Sequence, residues 1–258
     1  MASLNMSDAF EALDISDYPL ILDNKEVHVW RASLAQSDDI VAQYEYVISE
    51  HEKEKASQFK FIKHRNQYII TRGVLRHILA GYLDAKPAAL EFQYGEHGKP
   101  FLNDHQNSIN IKFNLSHSGE LVLFAMSIDC ELGIDVEFIP TERSVNDIAE
   151  RFFTPNEVNQ INELPEEKQR EAFFDCWTLK EAYLKGAGSG LSSGLSRFSV
   201  DFTSNNSPCF LNMEDCTDEP TQWSLRRLNP GQGYIASLAV AQHDWRLECR
   251  QWDHAHCL

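Results

Sequence analysis

The chain has 258 residues, 43% hydrophobic and 24% charged, the balance of a soluble globular protein long enough for one large domain or two small ones. Its formal net charge of −16 argues against general binding to nucleic acid or to an anionic membrane surface. Six cysteines without a C-x-x-C pair or an even framework fit a reduced, cytoplasmic setting, and neither a secretory signal nor an apolar stretch of membrane-spanning length is expected.

In chain order, residues 1–24 are polar and acidic and read as a loose leader. Val27–Trp30 reads as a strand, followed by a helix from about Asp38 to His51 and a second from about Glu52 to Lys63. A third, from Asn66 to Tyr82, carries Ile69, Ile70, Val74, Leu75, Ile78 and Leu79 at helical spacing. Residues 51–76 hold seven Lys/Arg against two Glu, and a basic island on an acidic chain points to a polyanionic small molecule, an acidic partner or simply a solvated helix face. Phe92–Tyr94 is a short strand, and the glycines and proline of 95–101 form a turn that fixes the direction of Lys99. Residues 103–110 read as polar loop, Phe113–Gly119 as the approach to a strand over Leu121–Ile128.

Next comes Cys130–Ile139, where Ile134, Val136 and Phe138 alternate with Gly133, Asp135 and Glu137. That period-2 pattern marks a strand with one apolar face and one face bearing two carboxylates, roughly 6.5–7 Å apart at the backbone. Carboxylates so placed repel unless a cation lies between them, and an oxygen-liganded divalent ion is one answer; an exposed acidic strand face is the other. Asn146–Phe153 reads as a short helix, and Thr154-Pro-Asn-Glu157 as a capping box opening another. The helix from Glu166 to about Gly186 buries a face marked by Phe173, Phe174, Trp177 and Leu184, with Glu181 at its edge. Glu181 is a candidate third carboxylate of a magnesium site for phosphate chemistry, or half of a surface i, i+4 pair with Lys185. The glycine-rich loop 187–194 follows a helix and lacks Gly-Lys-Ser/Thr, so it is not a P-loop. The remainder is β-rich, over 197–201, 209–213, 222–228, 234–241 and 245–252. A helix-then-strands order thus occurs twice, which points to two similarly built halves, 25–129 and 130–258.

Ser116 and His117 are adjacent in an extended segment, where neighbours point to opposite faces, so they cannot form a nucleophilic dyad with each other. Their hydroxyl and imidazole suit a phosphate, or a purely structural role. His254, His256 and Cys257, in a terminal tail, are a weak metal set.

Taken together, Gly98-Lys-Pro100, Phe113-Asn-Leu-Ser-His-Ser118, Gly133-Ile-Asp-Val-Glu137 and Trp177-x-x-Lys-Glu-Ala182-x-x-Lys185 resemble, in order and spacing, the 4′-phosphopantetheinyl transferases of the surfactin-synthetase-activating type. Arg65, Arg72 and Arg76 are spaced as in that family's arginine-bearing helix. The resemblance spans about 27–242 and implies an α+β fold of two similar halves related by a pseudo-twofold, acting as a monomer with coenzyme A in the cleft. It further implies transfer of phosphopantetheine to a serine of an acyl or peptidyl carrier protein. By position, Asp135, Glu137 and Glu181 would hold Mg²⁺, and Lys185 would contact the pyrophosphate. Lys55, Lys99, Ser116 and His117, with Arg76, would contact the 3′-phosphate and its surroundings. Glu52 stands where some relatives carry a further lysine. Two other readings use the same residues: a metal-dependent phosphodiesterase or pyrophosphatase, and a non-enzymatic module for coenzyme A or carrier proteins.

Overall fold

Six aliphatic residues of α3 (Ile62–Leu83), from Ile69 to Leu79, are fully buried against one face of a sheet. In this computed structural model the described residues are 10–12, 20–95, 98–140, 145–188, 194–203, 208–213 and 222–254. The sheet under α3 runs β1 (Glu11–Ala12), β12 (Arg246–Gln251), β2 (Glu26–Ser33), β6 (Leu121–Ile128) and β5 (Ile111–Ser118). A second sheet runs β10 (Ser224–Leu228), β11 (Tyr234–Val240) and β7 (Leu132–Phe138), and α6 (Glu166–Ala187) covers its outer face. Between the sheets lies a third core, with Val27, Val29, Leu123 and Ala125 facing Ile134, Val136, Ala236 and Leu238. The layers are therefore helix, sheet, sheet, helix. Both faces of β2 are covered, which is why it runs apolar with little alternation: odd residues face the second sheet, while Trp30 and Ala32 face α3.

The halves repeat one device that the sequence hides. Ser49 and Glu52 form a capping box at the start of α2 (Glu50–Ser57), as Thr154 and Glu157 do for α5 (Pro155–Asn162). In each half the capping glutamate is buried and pairs with a cation from the 22-residue helix that follows in the chain. Glu52 binds Arg72 at 2.5 Å and Arg76 at 2.7 Å, and Glu157 binds Lys180 at 2.6 Å. Burial alone would raise the Glu52 carboxyl, but Arg72 and Arg76 outweigh it and hold it below its ordinary range. The fold is thus α+β, built of two similar halves, as expected.

Several expectations change. The Ser49 capping box ends α1 (Asp38–Val47) earlier than His51 and starts α2 there. Beyond Ser57 the alternation of Phe59 and Phe61 with Lys60 offers no helical face, so α2 stops and α3 begins at Ile62. The Phe113–Ser118 stretch is not an approach loop but most of β5, paired along its length with β6. Part of the presumed leader is held: Leu20 and Leu22 are buried in the core, and Leu20 N–H donates to Gly81 O at 3.1 Å. Finally, β12 leaves the second half and lies parallel to β2 in the first sheet, since Leu247 and Cys249 complete the core between the sheets. The short strands β3 (Phe92–Tyr94) and β4 (Pro100–Leu102) pair with each other, as do β8 (Phe198–Asp201) and β9 (Cys209–Met213). Among the described residues no helix is long and apolar enough to cross a membrane.

Removing one partner of a buried pair leaves an uncompensated charge. Lys180→Met is therefore expected to lower unfolding free energy by about 3–5 kcal/mol in urea titrations. A loss below about 1 kcal/mol, the value of a surface pair, would contradict a buried ion pair here.

Candidate active site

The site forms where the edge strand of one sheet, β5, meets the edge strand of the other, β7. Side chains of β5 join them. Asn114 Oδ1 accepts from Ile134 N–H at 3.0 Å, Ser116 Oγ donates to Asp135 Oδ1 at 2.9 Å, and Ser118 Oγ donates to Glu137 Oε2 at 2.8 Å. Ser118 Oγ also accepts from Phe138 N–H at 3.0 Å. These three residues alternate along β5, so one strand face supplies the whole seam.

From above, α6 comes down on β7 with backbone against backbone. A Cβ on Gly133 would lie 2.1 Å from Ala182 O and 2.3 Å from Gly186 N; one on Gly186 would lie 2.6 Å from the Trp223 ring. Only glycine permits this approach. Thr178 and Ser237 hydroxyls meet at 2.9 Å and fix the helix over β11 as well. Glu181 and Lys185 consequently overhang the carboxylate face of β7. Lys185 Nζ donates to Asp135 Oδ1 at 2.6 Å and to Ser116 Oγ at 2.9 Å, so the alternative of a surface Glu181–Lys185 pair is not formed.

Asp135 and Glu181 are buried. One oxygen of each, Asp135 Oδ2 and Glu181 Oε1, has no hydrogen-bond partner. Burial first, and then the charge of Asp135, push the Glu181 carboxyl up from its ordinary 4.5 to about 7, with Lys185 pulling the other way. Glu137 is raised as well, by burial and by Asp135. The three carboxylates do not bring an oxygen each within 4.8 Å of one another; among the described residues only Glu26, His28 and Glu248 form such a set. What the arrangement provides is a half-buried basin of under-satisfied carboxylate oxygens with one lysine reaching in.

The pattern of the 4′-phosphopantetheinyl transferase superfamily matches residues 131–239, and the N-terminal pattern of 4′-phosphopantetheinyl transferases matches residues 29–129. The chain belongs to the 4′-phosphopantetheinyl transferase family. The transferase is 36% identical over 227 residues to the 4′-phosphopantetheinyl transferase HetI of Nostoc sp., covering 88% of this chain and 92% of that protein. To the 4′-phosphopantetheinyl transferase Sfp of Bacillus subtilis it is 28% identical over 174 residues, 64% of this chain and 75% of the other.

Of the residues singled out in the transferase sequence, Ser116, Asp135, Glu137, Glu181 and Lys185 come together in this one basin. Lys99 lies at its edge, 3.4 Å from Gly186 O and 3.3 Å from Glu131 Oε2. Exposed His117 points away from Ser116 on the same strand. Lys55 is exposed on α2 and stands over the rings of Tyr68 and Tyr94, at 5.7 and 6.0 Å. Arg76 is the correction. It is 1% exposed, and its guanidinium is satisfied by Glu52 and by the carbonyls of Pro87 and Leu90, so it braces the first half instead of facing a ligand. Of the tail residues, His254 is engaged by Tyr44 Oη at 2.7 Å, while His256 and Cys257 lie outside the described residues.

Sequence reasoning missed Asn114, Ser118 and Thr178, and the roles of Gly133 and Gly186. The alternation of Asn114, Ser116 and Ser118 was a visible signal. The glycines gave none, because each acts through a neighbour far away in the chain.

Two outcomes test this construction. Gly133→Ala is expected to cost about 3 kcal/mol in urea unfolding, because backbone atoms cannot yield as a side-chain tip does; an unchanged midpoint would refute the contact. The second concerns pH. A carboxyl at about 7 in the fold and near 4.5 unfolded binds its proton more tightly when folded. Its contribution favours the fold at low pH and is withdrawn as pH rises through that window. Across about pH 4.5 to 7 the thermal midpoint of the metal-free transferase should therefore fall relative to that of Glu181→Gln, whose side chain does not titrate, and a constant difference between the two would refute the raised carboxyl.

Proposed function

We propose that this chain moves the 4′-phosphopantetheine arm of coenzyme A onto a serine hydroxyl of an acyl or peptidyl carrier protein, with Mg²⁺, releasing 3′,5′-ADP. Family membership supports the transfer. The fit of the metal rests on the unpartnered buried oxygens Asp135 Oδ2 and Glu181 Oε1, and on a donor set of hard carboxylates suited to Mg²⁺. Asp135, Glu137 and Glu181 would hold the ion once their side chains turn inward, since as they stand the three do not bring an oxygen each within 4.8 Å of one another. When bound, it neutralises charge on the pyrophosphate oxygens.

The chain's own residues do the rest. Lys185, already between Asp135 and Ser116, is placed to turn to a pyrophosphate oxygen. Ser116, His117, Lys99 and Lys55 are proposed to hold the 3′-phosphate and its neighbouring groups. In the reaction the carrier serine Oγ forms a bond to the phosphorus that bears the pantetheine. The bond from that phosphorus to the bridging oxygen breaks, and the oxygen leaves with its electron pair on 3′,5′-ADP. The serine proton passes to Glu181, whose Oε1 has no hydrogen-bond partner and is open to accept it. The buried carboxylates of Asp135 and Glu181, each with an unpartnered oxygen and with Lys185 beside them, are the observation that carries the reading. That both similar halves lie in one chain supports action as a monomer.

Intact-mass spectrometry of an apo carrier protein incubated with the chain, coenzyme A and Mg²⁺ tests the proposal. A gain of about 340 Da, one covalently attached phosphopantetheine, is expected, and EDTA should abolish it. Glu181→Gln should lower the rate by about 10² or more. Near-normal turnover of that variant at saturating Mg²⁺ would remove Glu181 as base and ligand alike.

A further inference from the structure

We propose that Glu26, His28 and Glu248 form a second metal site, for a zinc-class dication, that clasps the last strand of the chain into the first sheet. The site is independent of the transferase centre. It arises from strand register. β12 lies parallel to β2 with Glu248 opposite His28, and Glu26 is two residues before His28 on the same face.

His28 is fully buried. Its Nδ1 is 2.6 Å from Tyr82 Oη, which also accepts the Trp30 indole N–H at 2.9 Å. The ring is therefore fixed, and Nε2 is directed at the two carboxylates, 3.0 Å from Glu248 Oε2 and 3.6 Å from Glu26 Oε2. Even so, Nε2 has no hydrogen-bond partner. A buried ring nitrogen aimed between two carboxylate oxygens, and bonded to neither, is the feature that points to a missing ligand.

The spacing agrees. Two donors bound tetrahedrally at about 2 Å stand about 3.3 Å apart, and the two separations bracket that value. All three donor atoms lie within 4.8 Å of one another. An imidazole nitrogen with carboxylate oxygens suits zinc better than magnesium, which prefers oxygen alone. The neighbouring arginines hold the other oxygens: Arg246 binds Glu26 Oε1, and Arg250 binds Glu248 Oε1 at 2.7 and 3.1 Å. They orient the carboxylates as outer partners do at metal sites. Glu26 Oε2 takes one further contact, from Asp23 N–H at 3.1 Å. Glu248 is half-exposed, which leaves an entry for the ion and a fourth position for water.

The test is a zinc titration of the chain, stripped of metal by chelation and returned to excess Mg²⁺, following the imidazole resonances by NMR and the thermal midpoint. The His28 ring signals should move and saturate at one equivalent, and the midpoint should rise and fall back with EDTA. Glu248→Gln should weaken zinc binding tenfold or more, as should His28→Gln; the half-exposed Glu248 position keeps the test valid if the buried substitution fails to fold. Unmoved His28 signals, or a Glu248→Gln variant that binds zinc as the parent does, would overturn the site. So would a thermal response lost in Asp135→Asn and kept in Glu248→Gln, which would assign the zinc to the transferase centre.

Discussion

The contact on which the rest depends is backbone on backbone, α6 against β7 at Gly133 and Gly186. No side chain mediates it, so the separation of helix and strand is set by atoms that cannot rotate aside. Everything chemical in the site inherits that distance. Glu181 and Lys185 lie on the underside of α6 near the contact, and Asp135 and Glu137 follow Gly133 at the period of the strand. A helix one methyl group farther out would leave Lys185 short of Asp135 and would let water reach the carboxylates, removing the burial that raises Glu181.

Charge burial is the second theme, and it divides into two kinds. Glu52 with Arg72 and Arg76, and Glu157 with Lys180, are closed: each charged group is in an ion pair, and further hydrogen bonds from Arg72 to Tyr94, from Arg76 to backbone carbonyls, from Lys180 to Phe198 O and from Val200 N–H to Glu157 complete them. They hold each short capped helix to the long helix beyond it. The basin of Asp135, Glu137 and Glu181 is open. Three carboxylates share one lysine, and two oxygens stay unpaired. A folded protein tolerates such an excess where it is used, and the cost is carried by the rigid elements on either side.

The same contrast explains Arg76. Its spacing from Arg72 placed both on one face of α3, and the basic run around them left a polyanion, an acidic partner and a solvated helix face all open. That Glu52 would be the partner depends on the Ser49 capping box, which turns the third residue of α2 inward. A local motif was legible there, but the destination of its carboxylate was not, because α2 had to pack against α3 first.

What the sequence alone determined is the inventory and its local order. Period-2 alternation identified the carboxylate strand, helical spacing identified α3 and α6, and the capping box at Thr154 gave the start of α5. Four motifs in order identified the family. Each of these signals lies within a few residues, where backbone geometry ties spacing to facing. Tertiary structure decided the rest. It brought Ser116 to Asp135 across 19 residues and Lys185 to Asp135 across 50, and carried β12 back beside β2. It also set two ordinary glycines where no side chain would fit. Such contacts are fixed by which apolar faces bury together, and that is a property of the whole chain, with no trace in the spacing of any one segment.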